Sequence, residues 1–225
     1  MPQHADPSTG FARGRHADGT WDSPFDPAGN YGYITEGLPF QYTFFVPHDM
    51  EGLIQLTGGR AAFIGKLDQL FERKLYDHGN EPSHHIAYLY DYAGAPWKTQ
   101  QRVRQIMEDQ YRDLAAGLAG NDDCGQMSAW FVLSALGFYS VAPGAPVYQI
   151  GTPLFDEAVI HTSGANPFTI RAKGASVGRQ YIQSAVLNGK PFTRTWISHA
   201  ELVAGGQLVF VMGSQPNQNW GSRAD

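Results

Sequence analysis

The spacing of apolar residues changes at Pro143-Gly144, and that change sets the architecture. Before it, apolar residues recur at helical spacing; after it, they come in short runs broken by Gly, Pro and Asn. Phe63, Leu67, Leu70 and Phe71 stand at i, i+4, i+7 and i+8 and predict a helix over 60–75. A shorter helix is expected over 49–56. Pro82 suits the first turn of another, which carries Ile86, Leu89, Tyr90 and Tyr92. The longest is expected over 97–118, with Val103, Ile106, Met107, Tyr111, Leu114 and Leu118 on one stripe. The run from Trp130 to Phe138 predicts a buried helix that Gly137 ends. Strands are expected at 147–150, 158–162, 168–172, 181–187 and 208–212, with Asn188-Gly189 as a hairpin turn. The chain is therefore read as α+β, mostly helical over 41–139, with a β-rich segment over 143–225.

Residues 1–40 follow neither period. They are rich in Gly, Pro, Asp and aromatic rings, as in Phe25-Asp26-Pro27 and Tyr31-Gly32-Tyr33. A loop this long is unusual in a compact domain unless it carries function, and its rings need a surface to pack on. The net charge of −5 and the lack of a Lys/Arg cluster argue against nucleic acid as a partner. No apolar run reaches membrane-spanning length. Met1-Pro2-Gln3-His4-Ala5-Asp6 lacks the basic and apolar regions of a signal peptide. Cys124 is the only cysteine, so no intrachain disulfide can form.

Three stretches concentrate groups that do chemistry. Asn121, Asp122 and Asp123 precede the apolar run of the last helix, where free N–H groups and the helix dipole favour negative charge. An ionised carboxylate there suits a general base, and the same place suits a helix cap, so both readings stay open. Glu36 stands in sequence among Tyr31, Tyr33, Phe40 and Tyr42. If those rings also enclose it in space, desolvation keeps it protonated and makes it a general acid; otherwise it is a surface Glu. Gly79-Asn80-Glu81-Pro82-Ser83-His84-His85 offers the oxygen ligands that Ca²⁺ prefers. The adjacent histidines, with Cys124, also invite a zinc reading, against which stands the absence of the usual i, i+4 His spacing. A satisfied core imidazole beside an exposed ring is the structural alternative for His84 and His85.

Taken together, Glu36-Gly37 with Gln41-Tyr42-Thr43-Phe44-Phe45-Val46-Pro47-His48-Asp49, then 79–85, then Gly120-Asn121-Asp122-Asp123-Cys124-Gly125-Gln126-Met127-Ser128-Ala129-Trp130, resemble glycoside hydrolase family 92. The resemblance runs through nearly the whole chain. It implies a calcium-dependent, inverting, exo-acting α-mannosidase, with α-1,2 as the expected linkage and a mannose-containing glycan as substrate. It implies a fold of (α/α)₆-barrel helices followed by β structure. Residues 1–142 would supply part of the barrel, and residues 143–225 the final β-rich segment. The family's N-terminal β-sandwich and early barrel helices have no counterpart here, so that domain is an expected partner. By the same resemblance Glu36 is the acid, Asp123 the base with Asp122 supporting it or exchanging roles, and Asn80 and Glu81 the calcium ligands. His84, His85 and Gln126 are candidate sugar contacts. Where the family has a small polar pair and a Trp after Glu-Gly, this chain has Leu38-Pro39-Phe40, and Phe40 joins the candidate sugar contacts. The compartment is not readable from the residues, and the resemblance implies secretion or the periplasm. A catalytically inactive remnant with weak calcium or sugar binding is the alternative function.

Overall fold

The computed structural model describes residues 5–162 and 166–222. The first four residues, read above for a leader, lie outside that range. Two compact units divide at Ile86/Ala87, and the fold is α+β.

The first unit begins with a two-stranded ribbon, β1 (Ala5–Asp6) and β2 (Phe11–Ala12), closed by an Asp6–Arg13 ion pair of 2.8 Å. Three helices follow: α1 (Pro39–Thr43), α2 (Met50–Leu56) and α3 (Arg60–Glu72). Asp49 caps α2 by accepting the Gly52 N–H at 2.9 Å. Phe40, Phe44, Leu53, Ile54, Phe63, Leu67 and Leu70 form the core. The loop aromatics find their partners inside this unit. Phe11 packs edge-on to Phe40 at 4.8 Å, and Phe25, Tyr31 and Tyr33 stack in series.

The expected helix after Pro82 is not continuous. The chain makes 3₁₀ turns at Glu81–Ser83 and Ile86–Tyr88, then one short helix, α4 (Leu89–Tyr92). Residues 83–91 are buried one after another. A segment enclosed on all sides has no polar face, so the helical stripe read there was composition without a period.

In the second unit α5 (Pro96–Gln110) is the longest helix and stops eight residues before the expected end. Tyr111 is extended, at φ −127° and ψ 140°, and bridges to Leu118. The turn between them needs a glycine: a Cβ on Gly117 would lie 1.9 Å from the Arg112 carbonyl oxygen. Tyr111 instead stacks on Trp130 with rings 5.9 Å apart, and its hydroxyl donates to the Met127 carbonyl. The next helix, α6 (Gln126–Leu136), ends at Gly137 with φ +99°, as the sequence predicts.

Strand structure then takes over. β3 (Phe138–Tyr139), β4 (Val147–Ile150) and β9 (Trp196–Ser198) form a three-stranded antiparallel sheet. β5 (Glu157–Ile160), β6 (Phe168–Arg171), β7 (Tyr181–Leu187), β8 (Lys190–Pro191) and β10 (Gly206–Gly213) form a second, in the order β5-β6-β10-β7-β8. Only β6 and β10 run parallel in it. A short helix, α7 (His199–Val203), precedes β10. Leu208, Phe210 and Met212 alternate inward along β10, while Val211 faces out. Asn188 and Gly189, both at positive φ, turn β7 into β8. Helix α5 is fastened to this part by buried polar groups. Gln100 accepts the Ile182 N–H, and Arg104 donates to the Pro153 and Ala175 carbonyls.

Asp91 on α4 is a buried carboxyl of the second unit. Burial pushes its carboxyl well above the usual range. Thr99 pulls the other way, though neither its hydroxyl nor either Asp91 oxygen completes a hydrogen bond of normal geometry. Tyr88 and Tyr92 face the same carboxyl and are themselves pushed up by burial. The folded state therefore holds a proton that the unfolded chain releases near pH 4. Stability from Asp91 is full below that pH and falls as pH rises toward the folded value, by up to about 1.4 kcal/mol per pH unit. Urea unfolding at pH 4 to 8 should show wild type losing ground to Asp91→Asn as pH rises. Parallel pH profiles for the two proteins would contradict this.

Candidate active site

Five non-glycine residues among those described have left-handed backbone: Glu36, Lys74, Asp123, Cys124 and Asn188. Asn188 is in the hairpin turn, and Lys74 closes α3, where Leu75 N–H returns to the Leu70 carbonyl. The other three lie in the stretches singled out from the sequence. Left-handed backbone costs a non-glycine residue roughly 1–2 kcal/mol, and such strain gathers at functional sites.

In the first unit Glu36 has φ +55° and an exposed side chain. The aromatic residues near it in sequence do not enclose it. Tyr31 and Tyr33 stack on each other, Phe40 is in the core, and the Tyr42 hydroxyl donates to the Thr35 carbonyl. Glu36 instead borders a cavity of about 540 Å³ with Asn30, Gln41, Lys74, Tyr76 and Asp77. The Asn80 Nδ2 donates to the Glu36 carbonyl, which brings these two sequence-predicted residues together. That bond leaves Asn80 Oδ1 as the amide's remaining polar atom, next to Glu81, whose Oε1 is buried. An amide oxygen and a carboxylate oxygen on adjacent residues fit a hard cation such as Ca²⁺. Among the described residues no three His, Cys, Asp or Glu side chains converge, so sugar, water and backbone oxygens would complete the shell.

Three expected sugar contacts are placed otherwise. Phe40 is fully buried between Phe11 and Phe44 and belongs to the core. His84 and His85 are 1% and 5% exposed. Their Nε2 atoms face the carbonyls of His78 at 3.0 Å and Phe44 at 2.8 Å. A carbonyl only accepts, so both rings carry the proton on Nε2. Burial lowers both pKa values and takes the neighbouring His78 to about 3. These are neutral rings that hold the fold. The sequence reading also passed over Lys74, Tyr76 and Asp77 of the cavity wall. They follow a plain amphipathic helix and carry no motif.

In the second unit Asp122 and Asp123 precede α6. The Asp122 Oδ1 accepts the Ser128 N–H at 2.9 Å, so this carboxylate caps the helix. Asp123, Cys124 and Gly125 follow at φ +45°, +58° and +91°. Through this turn the backbone carbonyls of Asp122 and Asp123 accept the N–H groups of Met127 and Gln126. The Asp123 side chain is left exposed at the positive end of the helix. The Gln126 Nε2 donates to the Tyr139 hydroxyl at 3.1 Å, which anchors α6 to β3.

Residues 2–214 match the model of the glycosyl hydrolase family 92 catalytic domain. A family 92 α-mannosidase from Bacteroides thetaiotaomicron superposes with a TM-score of 0.92 at 38% identity, covering 99% of this chain and 31% of that one. An inverting family 92 mannosidase from the same organism gives 0.93 at 38% identity, over 99% and 34%. An uncharacterized secreted glycosidase of Arthroderma benhamiae is 35% identical, over 95% of this chain and 29% of its own length. The chain thus spans about a third or less of these relatives.

Proposed function

We propose that this chain, which belongs to glycosyl hydrolase family 92, carries the acid, the base and the calcium ligands of an exo-acting inverting α-mannosidase. The observation that carries the reading is the left-handed backbone at both Glu36 and Asp123, a conformation that gathers at functional sites. Glu36 protonates the glycosidic oxygen as it leaves. Asp123 takes a proton from water attacking the opposite face of the sugar, which gives inversion. The Asp122 cap holds the turn on which Asp123 stands, so Asp122 is the supporting carboxylate. Asn80 Oδ1 and Glu81 would hold Ca²⁺, which when bound grips sugar hydroxyls and favours ring distortion.

The substrate is a mannose-containing glycan, with α-1,2 as the proposed linkage. The helices of residues 1–142 form part of an (α/α)₆ barrel, and the β-rich residues 143–225 follow them. An N-terminal domain of the family's type completes the mannose site. Val132 of α6 is 56% exposed, as suits a helix that further chain would cover. The secreted relative supports secretion for this protein too. The test is cleavage of an α-linked mannobiose by the intact gene product, with the anomer first released read by NMR.

A further inference from the structure

We infer that the buried amide of Gln41 is a positioning residue that locks the Glu36 loop to the Asn80–Glu81 loop, so that a cation on the second steadies the acid on the first. The inference rests on the roles proposed above for those loops. Gln41 lies on α1 and is 3% exposed. Its Oε1 accepts the Leu38 N–H at 2.9 Å, and its Nε2 donates to the Ser83 hydroxyl at 3.2 Å. Leu38 is two residues after Glu36, and Ser83 is two after Glu81. A backbone N–H only donates, which fixes the amide's orientation and turns its donor toward Ser83. A helix cap alone needs only the Leu38 arm; the Ser83 arm reaches the other loop.

Hydrogen bonds hold three of the four residues 35–38. Thr35 is held through its carbonyl by the Tyr42 hydroxyl, Glu36 through its carbonyl by Asn80, and Leu38 through its N–H by Gln41. Gly37 lies flat against α1: a Cβ there would come within 2.8 Å of the Tyr42 ring and 3.2 Å of Gln41 Oε1. Only Asn80 and Gln41 among these ties cross to residues 80–83. Together they keep Glu36 in its left-handed backbone, which an untied loop would relax. Asn80 uses its nitrogen on Glu36 and keeps its oxygen for the cation, so occupancy at Asn80 is felt directly at the acid's backbone.

The test compares wild type, Gln41→Met and Gln41→Glu. Met keeps the bulk and loses both hydrogen bonds. Glu keeps an acceptor for Leu38 N–H and takes the Ser83 O–H on its second oxygen. Amide exchange is followed residue by residue by NMR in the 225-residue chain, with and without Ca²⁺. In wild type, Ca²⁺ should slow exchange at Gly37 and Leu38. Gln41→Met should speed exchange there by about tenfold, the weight of one buried hydrogen bond. It should also weaken their response to Ca²⁺, which then passes through Asn80 alone, while Ca²⁺ still raises Tm, and Gln41→Glu should restore the full response. Unchanged exchange at Gly37 and Leu38 in Gln41→Met overturns the proposal. So does faster exchange spread evenly through the first unit, which marks a purely structural residue. If Ca²⁺ leaves wild type unaffected, the calcium reading fails, and the clamp stands or falls on Leu38 exchange alone.

In the intact gene product, Gln41→Met should lower kcat on a mannobiose by roughly 100-fold, as expected for a misplaced acid. It should leave KM and turnover of an α-mannoside with an acidic phenol nearly unchanged. Equal loss on both substrates overturns the proposal. A wild type inactive on every mannoside sinks the proposed function and leaves the exchange result to judge the clamp.

Discussion

Asp123→Asn should remove most turnover of any α-mannoside, whereas Glu36→Gln should do so only where the leaving group needs a proton. General acid or base catalysis contributes roughly 10²–10⁴-fold, and each variant is expected to lose about that much kcat on a mannobiose. A phenol of low pKa departs without protonation, so Glu36→Gln should recover most of its rate on such a substrate. Asp123→Asn should not, since water must be activated whichever group leaves. Asp122→Asn separates the two aspartates. Its amide oxygen can still accept the Ser128 N–H, so the cap survives and the loss should be small. An Asp122→Asn enzyme as inactive as Asp123→Asn would mean that the base has been placed one residue too late. Circular dichroism should find all three variants folded, because Glu36, Asp122 and Asp123 are all exposed.

The second large effect is expected from removing calcium. A site held at about 100 times its Kd stabilises the fold by about 2.7 kcal/mol. In a chain of this size that corresponds to a Tm change of roughly 5–10 °C. EDTA should lower Tm by about that much, and Ca²⁺ should restore it. Glu81→Gln removes the charged oxygen and should abolish most of the response, while Asp122→Asn should keep it. Zinc should not substitute, because the Nε2 atoms of His84 and His85 already face backbone carbonyls. A wild-type Tm indifferent to EDTA and to Ca²⁺ would leave Asn80 and Glu81 as ordinary loop residues.

The sequence was most legible where one physical rule acted alone. Gly137 ends α6 because only glycine takes φ +99° there without strain; a Cβ would also press on Pro153 at 2.8 Å. Strand β10 could be read because one of its faces is buried, as Leu208, Phe210 and Met212 show. It was least legible where a residue type serves two ends. Phe40 has the chemistry of a sugar platform and of a core residue, and only its neighbours Phe11 and Phe44 decide between them. The same holds for His84 and His85, whose carbonyl partners lie 6 and 41 residues away in sequence. Helical spacing continued past Gln110 at Tyr111, Leu114 and Leu118, yet the chain left the helix for a turn that Gly117 permits. Within the candidate site, Glu36, Asp123 and Asn80 stood out from their surroundings in sequence. Gln41 was legible only as part of a motif, because its role lies in two hydrogen bonds made in space.

The most direct test of the catalytic reading is the configuration of the first sugar released. The intact gene product, supplied with Ca²⁺, is mixed with an α-linked mannobiose, and the anomeric proton is followed by NMR before mutarotation. A general acid at Glu36 and a water-activating base at Asp123 require inversion, so β-mannose should form first, with α-mannose growing in only as the anomers equilibrate. Release of α-mannose first would mean a nucleophilic carboxylate in place of the base. No release under these conditions would contradict the assignment of hydrolysis to this site.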